Sequence, residues 1–222
     1  FFAFIMALFL LPESIIQWKS SRAEKRKIFD FRYFTKLIQN PNIGVMIIIF
    51  FIITFSMANI YGTFSLLGYK YYNFSDQQNG YLFGIMGLVS VTVQGWFINL
   101  LARFISEKSL ISYGTIFMII GLGLMPYGSS FIYMAVIVSV LALGTGILQP
   151  TILSLISRFT SDTEQGLVLG INQSVSAFAR VLGPIWGGFA FNYIGFQFPF
   201  LTGALFTFFT LLISIFILKT SD

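Results

Sequence analysis

Apolar positions run through this chain in long blocks, separated by short polar stretches. No Asp, Glu, Lys or Arg occurs between Lys36 and Lys70, Asp76 and Arg103, Lys108 and Arg158, or Arg180 and Lys219. Each block is at least as long as the ~20 residues a helix needs to cross the hydrocarbon core of a bilayer. The pattern predicts six spanning helices at 43–67, 79–101, 109–126, 131–154, 165–192 and 196–218. The block after Lys108 holds two of them. "PYGSS" (Pro126 to Ser130) breaks it into a helical hairpin, because Pro and Gly end helices and Ser tolerates the turn. "NYIGFQFP" (Asn192 to Pro199) separates the last two in the same way.

The flanks extend this reading. Residues 1–11 are apolar but span only about 16 Å as a helix, half a bilayer, and no basic residues precede them as in a signal peptide. They read as the end of a preceding spanning helix, closed by Pro12. Residues 12–42 form a polar loop rich in Lys and Arg, which the positive-inside rule places in the cytoplasm. The six-helix domain then covers 43–218, and 219–222 is a cytoplasmic tail. Alternation agrees: Arg103, Lys108, Arg158 and Lys219 fall in predicted inside segments, and Lys70 is the single basic residue of the outside turns. The expectation is a multi-pass protein of the cell (inner or plasma) membrane, with both ends of this segment cytoplasmic.

Composition narrows the chemistry. With 56% hydrophobic and 9% charged residues, the chain has too few charges to cover a soluble domain. The net charge of +5 sits largely in one inter-helix loop, so it reports topology and not a nucleic-acid partner. Without Cys or His there is no thiolate, no Ser-His or Cys-His pair and no usual zinc site. No phosphate-binding loop is present either. An enzyme is not expected, nor a cofactor or metal.

A faint internal repeat is visible. "GYLFGI" opens the second span at Gly80 and "GLVLGI" opens the fifth at Gly166, 86 positions later. One enters from outside and the other from inside, as two inverted three-helix repeats require, and each Gly-x-x-x-Gly allows a close helix neighbour.

Arg180 is the only acidic or basic residue inside a predicted span, about 24 Å of helix rise beyond Glu164. An arginine at that depth faces water or protein. Gln173, Ser176, Arg180, Gly183 or Pro184, and Gly187 recur at three- and four-residue steps, as on a helix lining an aqueous cavity. Two readings of Arg180 stand. It holds a polar or anionic group of a substrate, or it donates to carbonyls freed near Pro184 and to amide neighbours. Ser56, Asn59 and Thr63 form a similar stripe on the first span, and Gln94, Asn172 and Gln149 are further membrane amides. The candidate cavity residues are Asn59, Gln94, Asn172, Gln173, Ser176 and Arg180. Gly183, Pro184, Gly187 and Gly188 are candidates for bending or tight packing. Trp96 and Trp186 read as packing residues, with stacking on an aromatic solute as the alternative. "SDTE" (Ser161 to Glu164) reads as a capping box.

"LPES" (Leu11 to Ser14) before a basic loop, "GTGILQPTILSLISRFTSDTEQGLVLG" (Gly144 to Gly170) and "RVLGPIWGG" (Arg180 to Gly188) resemble, in that order, the C-terminal half of a major facilitator superfamily transporter. The likeness is to drug:proton antiporters of the tetracycline and multidrug type. It implies an all-α integral membrane fold, half of a twelve-helix transporter, working by alternating access with an N-terminal six-helix half outside this chain. It also implies a small-molecule substrate and a proton or other coupling ion, whose binding acids commonly lie in the N-terminal half. Arg103, Arg158, Asp162 and Glu164 would form a cytoplasmic gate. There are departures. The family's Gly-x-Leu-x-Asp-Arg-x-Gly-Arg loop reads "LLARFISEK", with Ala102 at the aspartate and Ile105 at the glycine. The Gly-Pro motif of antiporters belongs to an absent span, and its relative here has Ala179 for the first glycine. Direction therefore stays open. Uptake of a sugar or organic anion, or a non-transporting membrane subunit, is the alternative.

Overall fold

The structure, a computed structural model, describes residues 35–216 apart from Lys36, Ile38 and Ser129. These lie in the compact unit Thr35–Asp222. The expectations for 1–11, for most of the basic loop and for the tail 219–222 fall outside the described residues.

All regular structure among the described residues is helical. The elements are α1 (Ile43–Tyr72), α2 (Asp76–Thr92), α3 (Ile98–Phe104), α4 (Glu107–Leu124), α5 (Phe131–Arg158), α6 (Gln165–Phe189) and α7 (Phe198–Phe216). A π turn, Val93–Phe97, joins α2 to α3 without a break, so the two make one rod, Asp76–Phe104. Six rods thus occupy the six expected spans, most of them a few residues longer than the apolar blocks alone indicate.

The ends follow from local chemistry. α1 stops where Asn73 takes a left-handed conformation (φ 54°) and the Phe74 N–H returns to the Gly68 carbonyl at 2.9 Å. α4 tightens into a short turn, Met125–Tyr127, containing Pro126. Ser130 then starts α5 by accepting from the Tyr133 N–H at 3.2 Å.

One cap is not where the pattern put it. At SDTE the helix begins one residue after the motif, with Glu164 as the N-cap and no side-chain cap bond. The Ser161 hydroxyl donates to Glu164 Oε2 at 3.0 Å instead of accepting from a backbone amide. A full capping box forms at Ser75. Its hydroxyl accepts from the Gln78 N–H at 3.2 Å, and the Ser75 N–H donates to Gln78 Oε1 at 2.9 Å. Ser75→Ala is therefore expected to cost about 1 kcal/mol and Ser161→Ala less than about 0.5. Thermal melts of the two variants, compared with the parent, check this difference.

The repeat is clearer in the fold than in the sequence. "SDQQNGYLFGI" from Ser75 and "SDTEQGLVLGI" from Ser161 start the second and fifth rods, again 86 positions apart. The packing obeys the same exchange. α1 lies chiefly on α6 and α7, α5 chiefly on α2 and α4, and α4 meets α7. Swapping the first three rods for the last three turns this set of pairs into itself. The close approach expected at the repeat glycines is not made. Nothing lies within 4 Å of a side chain built at Gly80, Gly84, Gly166 or Gly170.

Among the described residues, five rods are long and apolar enough to cross a membrane: Ile43–Tyr72, Asp76–Phe104, Glu107–Tyr127, Phe131–Arg158 and Phe198–Phe216. α6, at 25 residues, has the length but not the composition. It is the most amphipathic of the rods. Its polar residues are the reason, and they define the site.

Candidate functional site

At 100° per residue, α6 presents three faces. The first is buried: Asn172, Ser176, Ala179, Gly183 and Gly187. It lies on α1. A Cβ built at Gly183 would stand 2.7 Å from Ala58 Cβ, 2.8 Å from the Asn59 nitrogen and 2.8 Å from the Phe55 oxygen. One at Gly187 would land on Asn59 Oδ1, 2.9 Å from the Asn59 carbonyl oxygen. Of the two roles expected for Gly183 and Gly187, the structure displays tight packing, and α6 runs on through Pro184 to Phe189.

Asn59 fastens this crossing to a third helix. Its Nδ2 donates to the Pro199 carbonyl of α7. Its Oδ1 has no conventional partner and fills the space a Gly187 side chain would take, where the glycine Cα–H is turned toward it. The same geometry recurs at Gly68, where Asn79 Oδ1 sits in the side-chain position. One turn away, the Ser56 hydroxyl donates to the Gly203 carbonyl at 3.3 Å. Asn59, Asn172 and Ser176 are thus buried between helices, away from the open face.

The second face, Phe178, Val181, Ile185 and Phe189, is exposed and largely apolar, and the one hydroxyl on it, Ser174, donates back to the Gly170 carbonyl at 3.0 Å. Such a face suits lipid. The third face, Gln173, Ala177, Arg180 and Pro184, is exposed and lies between the other two. Here Arg180 Nη2 donates to Gln173 Oε1 at 3.4 Å, a long and weak bond. No carboxylate comes within ion-pair distance of Arg180 among the described residues. Trp186 is part-buried on the opposite flank and donates from Nε1 to Thr202 Oγ1 of α7 at 2.9 Å, so the Arg180 face is turned away from α7. Gly62 of α1 borders it, since a Cβ there would lie 3.8 Å from Pro184 Cβ.

Gln94 is exposed in the π turn between α2 and α3. It precedes Arg180 by 86 residues, so the two hold corresponding positions in the repeats. Trp96 beside it is 75% exposed, with its ring 6.0 Å from that of Phe97.

At the charged end, Arg158 Nη1 and Glu107 Oε1 pair at 2.7 Å, tying the last turn of α5 to the first turn of α4. Glu107 is the partner that the sequence reading did not assign, although it stands in the altered signature loop. Both charges also suit their helix dipoles. With the Arg158 side chain 66% exposed, the pair is worth at most about 1 kcal/mol. Glu107→Gln is expected to lower stability by no more than that, and less in high salt, as thermal melts at two salt concentrations would read. Arg103 is exposed, and Asp162 Oδ1 accepts from Gln165 Nε2 at 3.3 Å.

Comparison with known proteins fits these features. The chain is 25% identical over 184 residues to mouse solute carrier family 22 member 18, covering 82% of this chain and 45% of that protein. It is 24% identical over 200 residues to multidrug resistance protein 2 of Bacillus subtilis strain 168, covering 90% and 50%. With mouse major facilitator superfamily domain-containing protein 10 it shares 24% over 141 residues, covering 62% and 30%. The chain spans about half the length, or less, of these relatives. The Major Facilitator Superfamily profile matches residues 46–222, which take in all six helical rods but for the first three residues of α1. With that match across most of its length, the chain belongs to the Major Facilitator Superfamily.

Proposed function

We propose that this chain is the C-terminal half of a secondary transporter of small organic solutes, of the proton-coupled drug-efflux kind, which works by rocking its six helices against a second six-helix half. The observation that carries the reading is the exposed Gln173–Arg180 pair at mid-span, on a helix too polar to serve only as a lipid-facing span. A guanidinium without a carboxylate partner at that depth is costly, and an aqueous cavity with a polar solute in it relieves the cost. Gln94 and Arg180 contribute matched polar positions from the two repeats, with Gln173 beside them. Asn59, Asn172 and Ser176 shape the helix that carries this face, and Asn59 does so by holding α1, α6 and α7 together. Arg103, Arg158, Asp162 and Glu164 form the cytoplasmic gate, within which Glu107 already holds Arg158. Both ends of the segment lie in the cytoplasm, and the cell membrane is the site of action. The likeness to a protein named for multidrug resistance supports the efflux direction.

The lack of an acidic partner for Arg180 also favours a second reading, uptake of an organic anion. Full-length protein in proteoliposomes separates the two. Accumulation of a planar lipophilic cation driven by an imposed proton gradient supports efflux. Counterflow of an anionic solute alone supports uptake, and the absence of both fluxes leaves the non-transporting subunit.

A further inference from the structure

Tyr61 stands 18 residues beyond the start of α1 and 11 before its end, so it lies near mid-span. The other tyrosines among the described residues lie within two turns of a rod's end or in the turn that follows one. The membrane interface accounts for those, since Tyr suits a place where one end of the ring is apolar and the other wet. It does not account for Tyr61. Tyr61 is 56% exposed, and its hydroxyl has no hydrogen bond to any described residue. A free hydroxyl at that depth is costly against lipid but not against water or a polar solute. Nor does the fold demand a ring there. The matching position of the second repeat, 86 residues later, is Ile147, buried in an apolar cluster with Val93 and Leu110.

Its neighbours fix the direction it faces. Ala58 meets Gly183 and Gly62 meets Pro184, whereas Ser56 and Asn59 reach α7. At 100° per residue, Tyr61 stands about 60° from Ala58 and about 140° or more from Ser56 and Asn59. It is therefore on the side of α1 away from α7, the side to which the Arg180 face also turns. Gly187 meets Thr63 as Gly183 meets Ala58, so α1 and α6 run in parallel. Arg180 lies one turn below the Ala58 contact and Tyr61 one turn above it, roughly 9 Å apart along the axes. Gly62 and Pro184 lie between them, and neither raises a long side chain.

We propose that Tyr61 is a solute-contacting residue, and that the solute is a planar aromatic molecule with an anionic or hydrogen-bond-accepting group. The solute's ring stacks on Tyr61, and its accepting group meets the Arg180 guanidinium. The inference rests on the reading of the open α6 face as solute-facing, and it holds for either direction of transport.

The test uses full-length protein with a single thiol at Gln173→Cys and follows its alkylation by a hydrophilic maleimide. Naphthoate is the planar probe, and decalincarboxylate, with the same charge and carbon skeleton, is its saturated match. Naphthoate is expected to protect the thiol, with an apparent Kd about three- to tenfold weaker in Tyr61→Leu and within about twofold of the parent in Tyr61→Phe. Decalincarboxylate is expected to treat all three alike, which also shows that the Leu variant keeps its fold. Equal weakening of both probes, no weakening in Tyr61→Leu, or a loss in Tyr61→Phe as large as in Tyr61→Leu overturns the proposal and leaves the open face as the site. If neither probe protects the thiol, the stated solute class is wrong and the proposal falls, while the flux assays above decide the transport reading separately.

Discussion

Gly183→Leu is expected to unfold the α1–α6 crossing, with a loss of about 3 kcal/mol or more and a large fall in folded protein recovered from the membrane. The reason is the identity of the atoms in the way. A Cβ at Gly183 meets the Asn59 nitrogen and the Phe55 oxygen, both 2.8 Å away. Those are backbone atoms of a buried helix and cannot turn aside as a side chain can. Even Gly183→Ala is expected to cost about 1–3 kcal/mol. Gly188→Ala is the control, because nothing lies within 4 Å of its Cβ position. That change is expected to stay within about 0.5 kcal/mol of the parent, the gain in helix propensity working in its favour. Thermal melts of the three variants in one detergent read the order directly.

Arg180→Gln is expected to do the reverse, leaving the fold intact while removing flux. The guanidinium is exposed and its single hydrogen bond, to Gln173 at 3.4 Å, is weak, so stability is expected to change by less than about 0.5 kcal/mol. A charge-assisted hydrogen bond to a solute is worth about 1.5–3 kcal/mol, which converts to a loss of roughly 10- to 150-fold in kcat/KM. Initial-rate transport by reconstituted protein, normalised to folded protein, measures the second number, and the melt measures the first. A variant with normal flux removes Arg180 from the site.

The six rods were legible because their boundaries are chemical. Runs without charge, Pro126 with Gly128, and a capping Ser130 each act over a few residues and need no partner. The faces of α6 were not legible to the same degree. Gln173, Ser176, Arg180, Gly183 and Gly187 follow steps of three and four, yet at 100° per residue such steps drift far enough to merge two adjacent faces. What separates them is α1. Ala58 and Asn59 receive Gly183 and Gly187 and turn Ser176 inward, while Gln173 and Arg180 stay outside. That choice lies in a contact more than 120 residues away in the chain, beyond any local pattern.

Capping teaches the same lesson. Ser75 and Ser161 both open a Ser-Asp-x-Gln/Glu motif, but only the first makes the box. After Ser161 the chain turns for three residues before the helix begins, and its hydroxyl is used by the Glu164 carboxylate. The Glu107–Arg158 pair was hidden for a different reason. Its members are 51 residues apart and meet because α4 packs on α5.

The claim that the open face of α6 meets the solute is tested most directly by chemical protection. A single thiol at Gln173→Cys in full-length protein, with other cysteines removed, is alkylated by a hydrophilic maleimide with and without solute. At ten times the Kd of a transported solute, the rate is expected to fall about tenfold, while a thiol at Gln77→Cys, exposed in the first turn of α2, is unaffected. An unchanged rate at Gln173→Cys, in protein that still transports the solute, would contradict the account.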